Sequence, residues 1–392
     1  MPGSLLLSFA VLLLIGMLIS ERASRTVIST AVLFLLGGFL LGDGVLDVIP
    51  LASGDPVVET LAELALFSVL FTDGMKVGFR DLRTAWHLPG RALLLGLPLT
   101  LVITAALAHF VVGLPWLESF LLGAVLAPTD PVFASAIVGR EEVPPRLRHL
   151  LNVESGVNDG LALPIVLVLL AAAGGTEAGG WQLTEEILLG IAVGVLVPLV
   201  VLRLERLPFL KAQDNLQPLL TVSMGLLVLA ICTATHANLF LAAFAAGITV
   251  ASYGPEFRHE FEQFGELLTE LLKLAAILVF GALITPAFLF QEIPLAGWVF
   301  AVLALTAARP LALWVSFLRS GLPRNQQVAA MWFGPKGFAS VVYGILVLES
   351  GIGAADELFH LIALVIFLSI LAHSSTDVVV AKKLDERESR PL

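Results

Sequence analysis

The chain is a succession of long apolar stretches separated by short polar ones, and this pattern restricts it to one class of fold. A helix needs about 20 largely apolar residues to cross the hydrocarbon core of a bilayer. Candidate spans lie at roughly 4–20, 26–42, 57–74, 92–113, 116–138, 148–173, 184–202, 215–234, 237–252, 273–290, 295–318, 326–348 and 356–380, about 13 in all. Two depart from the pattern: 237–252 is short, and 57–74 carries Glu59, Glu63 and Asp73. Charged residues make up only 14 % of the 392 positions and hydrophobic residues 58 %, whereas a soluble domain is about a quarter charged. A soluble chain of this size could not cover so much apolar surface. The expected fold is an all-α polytopic membrane protein. The first apolar run, Ser4 to Ser20, has no basic residue before it and no small-residue cleavage site, so it reads as a span and not as a signal peptide.

The polar connections supply an independent check. Connections after spans 1, 3, 5, 7, 9 and 11 hold Arg22 and Arg25; Lys76, Arg80, Arg83 and Arg91; Arg140, Arg146 and Arg148; Arg203, Arg206 and Lys211; Arg258; and Arg319 and Arg324. Lys382, Lys383, Arg387 and Arg390 follow span 13, while the intervening connections hold no Lys or Arg. Cationic residues concentrate on the cytoplasmic side of membrane proteins. The alternation therefore puts the N-terminus outside and the C-terminus in the cytoplasm, as expected of a multi-pass protein of the cell (inner) membrane. Of the 22 basic residues, 19 fall in these segments. Lys273 lies at the edge of span 10, where it is expected to snorkel to the cytoplasmic surface. Arg309 and Lys336 lie inside spans and need another reason.

Several function classes are excluded. The seven His and one Cys form no disulfide framework and no metal-ligand spacing; Cys232, in an apolar run, reads as a packing residue. A net charge of −10 argues against nucleic acid. No Gly-x-x-x-x-Gly-Lys-Ser/Thr motif and no long cytoplasmic loop is present. Neither a nucleotide nor any other cofactor is expected, and the energy source is something other than ATP. Residues 1–381 read as one transmembrane domain and 382–392 as a short charged cytoplasmic tail.

A charged side chain near the bilayer centre is costly and marks a functional site by default. Asp130 sits in Ala127-Pro128-Thr129-Asp130-Pro131. The two prolines should break span 5 into half-helices, and broken backbone at membrane depth is tolerated only where it is buried or lines a cavity. Thr129 and Asp130 are also good helix caps. A second break is expected in span 12 at Phe333-Gly334-Pro335-Lys336-Gly337. Spans 5 and 12 run in opposite directions, which fits an inverted repeat with its site between the breaks. Asp130 would balance the positive half-helix ends and Lys336 the negative ones. In span 6, Glu154-Ser155-Gly156-Val157-Asn158-Asp159 puts Ser155 and Asp159 on one helix face. Asp159 can then meet Asp130 across a polar pocket with the Ser155 hydroxyl as a further oxygen, a donor set suited to a hard cation such as sodium. Glu154 needs a partner of its own, and Arg309 is the natural one, since an unpaired buried charge is costly.

Together these motifs resemble the NhaP/NHE type of the cation:proton antiporter superfamily. Thr129-Asp130-Pro131 resembles its TDP motif, Glu154-Ser155-x-x-Asn158-Asp159 its ES-x-x-ND motif, Ala308-Arg309 its arginine-bearing helix, and Trp332-x-Gly334-x-Lys336-Gly337 its W-x-G-x-R-G segment. The resemblance implies a thirteen-helix fold with inverted repeats and two broken crossing helices, a homodimer in the lipid bilayer, and elevator-type exchange of one sodium or lithium ion for one proton. It implies Asp159 as the essential transport carboxylate. It implies Thr129, Asp130 and Ser155 as further cation ligands, and Asn158, Glu154, Arg309 and Lys336 as supporting residues. Asn158 stands where electrogenic relatives carry a second Asp, which implies electroneutral exchange. Leu70-Phe71-Thr72-Asp73-Gly74 resembles the acidic end of the third span of some members and makes Asp73 a further candidate. Lys336 departs from the usual Arg and loses the fork geometry.

Three other readings compete. A potassium/proton antiporter of the same fold would use the same ligand types. An ion channel would need a continuous pore, which two broken helices and a buried acid–base pair do not favour. An intramembrane hydrolase using Asp130 and Asp159 as a dyad would need a substrate groove. His109, His236, His360 and His373 lie in or near spans and read as satisfied or interfacial. Glu59 and Glu63 line a funnel or mark a helix end near water.

Overall fold

The computed structural model describes residues 3–23, 29–43, 45–52, 54–78, 88–130, 143–174, 180–213 and 216–388. Among these the regular structure is helical. In chain order the helices are α1 (Gly3–Ala23), α2 (Thr30–Leu41) and α3 (Pro56–Lys76), α4 (Leu88–Val112), α5 (Trp116–Leu126), α6 (Pro145–Ala172), α7 (Gly180–Glu205), α8 (Gln217–Thr235), α9 (Leu239–Tyr253) and α10 (Pro255–Leu283). They continue with α11 (Leu295–Ser316), α12 (Arg324–Trp332), α13 (Phe338–Glu349) and α14 (Ala355–Glu388).

Each apolar stretch has a helical counterpart, the short 237–252 and the acid-bearing 57–74 included. Starts follow local chemistry. The Asp55 side chain accepts from the Val57 N–H ahead of Pro56, and Asn238 accepts from the Leu241 N–H, so each satisfies one of the free donors of a helix N-terminus. In α4 and α11 the helix widens to π-type turns at Ala92–Gly96 and Ala304–Ala308. Pro98 and Pro310 follow those turns, and each lacks the donor and crowds the carbonyl four residues before it.

Among the described residues, seven helices are long and apolar enough to cross a membrane by length and composition, and α2, α5, α9 and α13 are shorter apolar helices. The bundle has an inside and an outside. Of the crossing window of α1 only 22 % is buried, against 61 % for that of α14. Exposed apolar side chains such as Leu14 and Leu18 on α1 and Leu188 and Leu196 on α7 face outward, as a lipid-facing surface requires. Small residues let backbones touch. The position of a side chain on Gly74 of α3 is taken by α9 backbone, and that of one on Gly247 of α9 by α3 backbone, the close approach that drives helix association in lipid.

Two expectations are corrected. Span 10 does not begin at 273 and run to 290: α10 starts at Pro255 and ends at Leu283, with a π turn at Phe288–Glu292 after it. The Glu-rich sequence before 273 is the first half of a long helix and not a connection. Lys273 is therefore within the helix, only 6 % exposed, and does not snorkel. The break expected in span 12 is present, and the span is two helices, α12 and α13. In span 5, α5 ends at Leu126; the half-helix expected after Pro131 lies outside the described residues. Helix α14 continues to Glu388, through most of the segment expected as a tail.

Candidate functional site

The site is built where two unwound segments meet. Pro128 cannot donate a backbone hydrogen bond, and residues 127–130 leave the helix after α5; residues 333–337, around Pro335, are unwound between α12 and α13. The segments are bonded to each other: the Asp130 N–H donates to the Pro335 carbonyl at 3.0 Å. The Asp130 carboxylate Oδ2 accepts the Phe338 N–H at 3.4 Å, at the first turn of α13, where a negative charge balances the helix dipole. The carbonyl of Val125, in the last turn of α5, accepts the Ser340 hydroxyl at 2.7 Å. Any side chain on Gly337 would run into Asp130, and one on Gly334 into the Arg309 guanidinium, so both glycines are required by close packing.

Helix α6 brings its motif against this crossing. The Asn158 amide donates to the Thr129 carbonyl at 2.9 Å and to the Thr129 hydroxyl oxygen at 3.0 Å. The Asp159 carbonyl accepts the Tyr343 hydroxyl of α13 at 2.9 Å. These bonds fix α6 to the first unwound segment and to α13. Asp159 Oδ1 and Asn158 Oδ1 are buried and have no hydrogen-bond partner among the described residues. The Ser155 hydroxyl donates within its own helix to Leu151 and Asn152 carbonyls at 2.9 and 3.2 Å, which leaves its oxygen lone pairs available as acceptors. Thr129, Asp130, Ser155, Asn158 and Asp159 are all less than 9 % exposed.

Lys273 completes the group. Its Nζ lies 3.5 Å from Asp130 Oδ2, with side chains 7 % and 6 % exposed. It also lines a cavity of about 540 Å³ together with Thr72, Asp73, Lys76, Glu266 and Glu270. At the rim of that cavity Lys76 reaches Asp73 at 3.1 Å and Glu266 at 3.7 Å, and Arg258 donates to the Lys76 carbonyl at 2.8 Å. Asp73 thus stands in the cavity wall. A water-accessible funnel descends from charged residues between α3 and α10 to the lysine that holds Asp130. Glu59 and Glu63 sit at the opposite end of α3, and Glu59 is exposed.

A second charged cluster braces the crossing. Arg309 donates to both oxygens of Glu154, at 2.6 and 3.2 Å, and to the carbonyls of Ala330 and Phe333, each at 3.3 Å. The fork satisfies the carboxylate and the open carbonyl end of α12 together. Lys336 is 2 % exposed, and its Nζ has no hydrogen-bond partner among the described residues; the carbonyls at the end of α12 are met by Arg309 instead. The Lys336 N–H donates to Ser369 Oγ at 2.8 Å, and the His373 ring reaches the Trp332 carbonyl at 3.0 Å and the Ser369 carbonyl at 2.8 Å. Helix α14 therefore holds both sides of the second break. His109 stacks on Trp116 at 4.0 Å, and His360 pairs with Glu292 at 3.2 Å. Cys232 is buried.

Sequence reasoning missed Lys273, Tyr343 and Ser369 as site residues, and its reading of His373 as a satisfied histidine agrees with the two carbonyls that ring reaches. A lysine flanked by apolar residues on both sides was the available signal for the first. The other two act through backbone groups far away in the chain and carried none.

A helical membrane protein whose two unwound segments meet beside a buried carboxylate, one oxygen of which has no hydrogen-bond partner among the described residues, has the architecture of a secondary antiporter. A family model described as "Sodium/hydrogen exchanger, transmembrane" matches residues 9–382. The chain belongs to the sodium/hydrogen exchanger family, multi-pass membrane antiporters of cations and protons. It is 26 % identical over 389 residues to "K(+)/H(+) antiporter NhaP2" of Shewanella sp. (strain MR-4), covering 97 % of this chain and 67 % of that protein. It is 25 % identical over 373 residues to "K(+)/H(+) antiporter NhaP" of Alkalimonas amylolytica, covering 93 % and 64 %. The chain thus spans about two thirds of the length of these relatives. Its fold is similar to that of the sodium proton antiporter MjNhaP1 from Methanocaldococcus jannaschii at pH 8, with a TM-score of 0.77 at 20 % identity over 97 % of this chain and 99 % of that one.

Proposed function

We propose that the protein exchanges one monovalent cation, sodium or lithium, for one proton, and that Asp159 carries either the ion or the proton. The observation that carries this reading is the buried Asp159 carboxylate, with an oxygen that has no hydrogen-bond partner among the described residues, beside two unwound segments. Thr129 and Ser155 supply neutral oxygens to the ion, and Asn158 supplies one more from its unpartnered amide oxygen. Oxygen donors around a carboxylate suit a hard cation. Sodium and protons compete for Asp159, and the site crosses the apolar barrier only when one of them is bound. An uncompensated carboxylate would be too costly to carry across.

Asn158 in place of a second carboxylate supports an electroneutral cycle. The concentration of basic residues beside Lys76 and Arg258 supports a funnel that opens to the cytoplasm of the cell (inner) membrane, with the N-terminus outside. Access then alternates by an elevator-type displacement of the helices around the crossing. A homodimer is expected, as in the resemblance that the motifs carry. A second reading, potassium/proton exchange at the same residues, is favoured by the names of the curated relatives.

The test is reconstitution in liposomes with an internal pH dye and an imposed pH gradient, with sodium, lithium and potassium added in turn. Proton movement on sodium or lithium that is lost in Asp159→Asn is the expected result. A response to potassium alone would move the assignment to the second reading, and no cation-dependent proton movement in the wild type would refute both.

A further inference from the structure

Lys273 belongs to none of the motifs, yet it makes the ion pair with Asp130. We propose that Lys273 is a tethered counter-cation for Asp130, which keeps that carboxylate out of the exchange and leaves Asp159 as the one group that passes between proton and transported ion. The proposal rests on the exchange reading above and assigns the two aspartates different roles.

Three observations carry it. The first is the pair itself: Nζ to Oδ2 is 3.5 Å, and both side chains are more than nine-tenths buried. A second positive partner, the Phe338 N–H at the start of α13, meets the same oxygen. The carboxylate charge of Asp130 is thus already balanced by an ammonium and a helix N-terminus. The second is position. Lys273 lines the funnel, while Asp130 is not among its lining residues. Of the charged residues in that wall, Lys76, Asp73 and Glu266 have side chains 40 %, 16 % and 51 % exposed, and Lys273 is buried at 7 %. An ion coming down the funnel meets the ammonium before Asp130, and an ion seated on Asp130 Oδ2 would share that oxygen with the ammonium and be repelled by it. The third is contrast. Asp159 Oδ1 and Asn158 Oδ1, on the helix that Asn158 ties to Thr129, have no hydrogen-bond partner among the described residues. The free oxygens are on the Asp159 side, and the compensated carboxylate is Asp130.

The pair also sets a charge count. Asp130 and Lys273 sum to zero, so the group changes charge only through Asp159. One proton then leaves for each cation that enters.

The test is a double-mutant cycle on the full chain in liposomes, read as cation-dependent proton movement. Lys273→Gln leaves a buried carboxylate without its cation, and Asp130→Asn leaves a buried ammonium without its anion. Each single variant is expected to lose at least tenfold in apparent kcat/KM for sodium. The Asp130→Asn/Lys273→Gln protein, which removes both charges, is expected to recover at least tenfold over either. A double variant no better than Asp130→Asn would overturn the proposal, because Asp130 would then be needed as an ion ligand in its own right. Lys273→Cys in a Cys232→Ala background gives a separate reading that does not depend on the folding of the double variant. Modification with an ethylammonium methanethiosulfonate should restore transport, and the neutral methyl reagent should not. Equal effects of the two reagents, or none, would also overturn it. A wild type with no cation-driven proton movement refutes the exchange reading instead.

Discussion

Replacement of Arg309 by Met removes four hydrogen bonds at once: two to Glu154, at 2.6 and 3.2 Å, and one each to the Ala330 and Phe333 carbonyls at 3.3 Å. Arg309 and Glu154 are both 5 % exposed, so water does not replace what is lost. Removal of one partner from a buried ion pair costs about 3–5 kcal/mol. The two carbonyls add roughly 1 kcal/mol each, at the low end for unmade buried bonds because the bonds are long. The expected loss is about 5–7 kcal/mol, more than three orders of magnitude in the folding equilibrium at ~1.4 kcal/mol per tenfold. Arg309→Lys keeps the charge but cannot span the carboxylate and both carbonyls, and should lose roughly half as much. The paired change Glu154→Leu/Arg309→Met removes the orphan charge and leaves only the carbonyls, so it should come within about 2 kcal/mol of the wild type. Equilibrium unfolding in mixed detergent–SDS micelles gives these differences. An Arg309→Met protein within about 1 kcal/mol of the wild type, or a double variant as unstable as the single one, would refute the bracing role.

Other consequences follow from the same geometry. Gly337→Ala puts a methyl group into Asp130; overpacking of this kind costs about 1–3 kcal/mol, and transport should fall at least tenfold in the liposome assay. Tyr343→Phe removes one hydrogen bond to the Asp159 carbonyl, so it should cost about 1 kcal/mol in unfolding and change the apparent cation affinity without abolishing exchange. Asn158→Asp replaces an amide that donates to Thr129 with a second carboxylate. Its transport should become sensitive to an imposed membrane potential, whereas wild-type transport should not be.

The spans were legible because a bilayer imposes a length and an apolar composition that few other structures share. The two breaks were legible for the same local reason, since proline at membrane depth leaves backbone groups without partners. What composition could not give was the start of α10. Glu256, Arg258 and Glu266 make its first half look like a loop, although the charges lie on a helix that borders the funnel. That misreading put Lys273 at a surface where it would snorkel, when it is paired with Asp130. Lys336 shows a different limit. Its charge suggests a role at the open carbonyls of α12, and the sequence did not show that the longer, forked Arg309 also reaches two of them. Tyr343 and His373 bond to backbone carbonyls of Asp159 and Trp332, partners that carry no residue-type signature in a sequence.

In the proposed exchange, Asp159 holds either a cation or a proton. Titration of sodium into the detergent-purified protein at a series of pH values, with binding followed by calorimetry, measures that competition directly. If each bound ion displaces one proton from Asp159, the apparent Kd should rise toward tenfold for each unit of acidification on the acid side of the titration, by proton linkage, and Asp159→Asn should abolish binding. A sodium affinity that is independent of pH, or one that survives Asp159→Asn, would contradict the account.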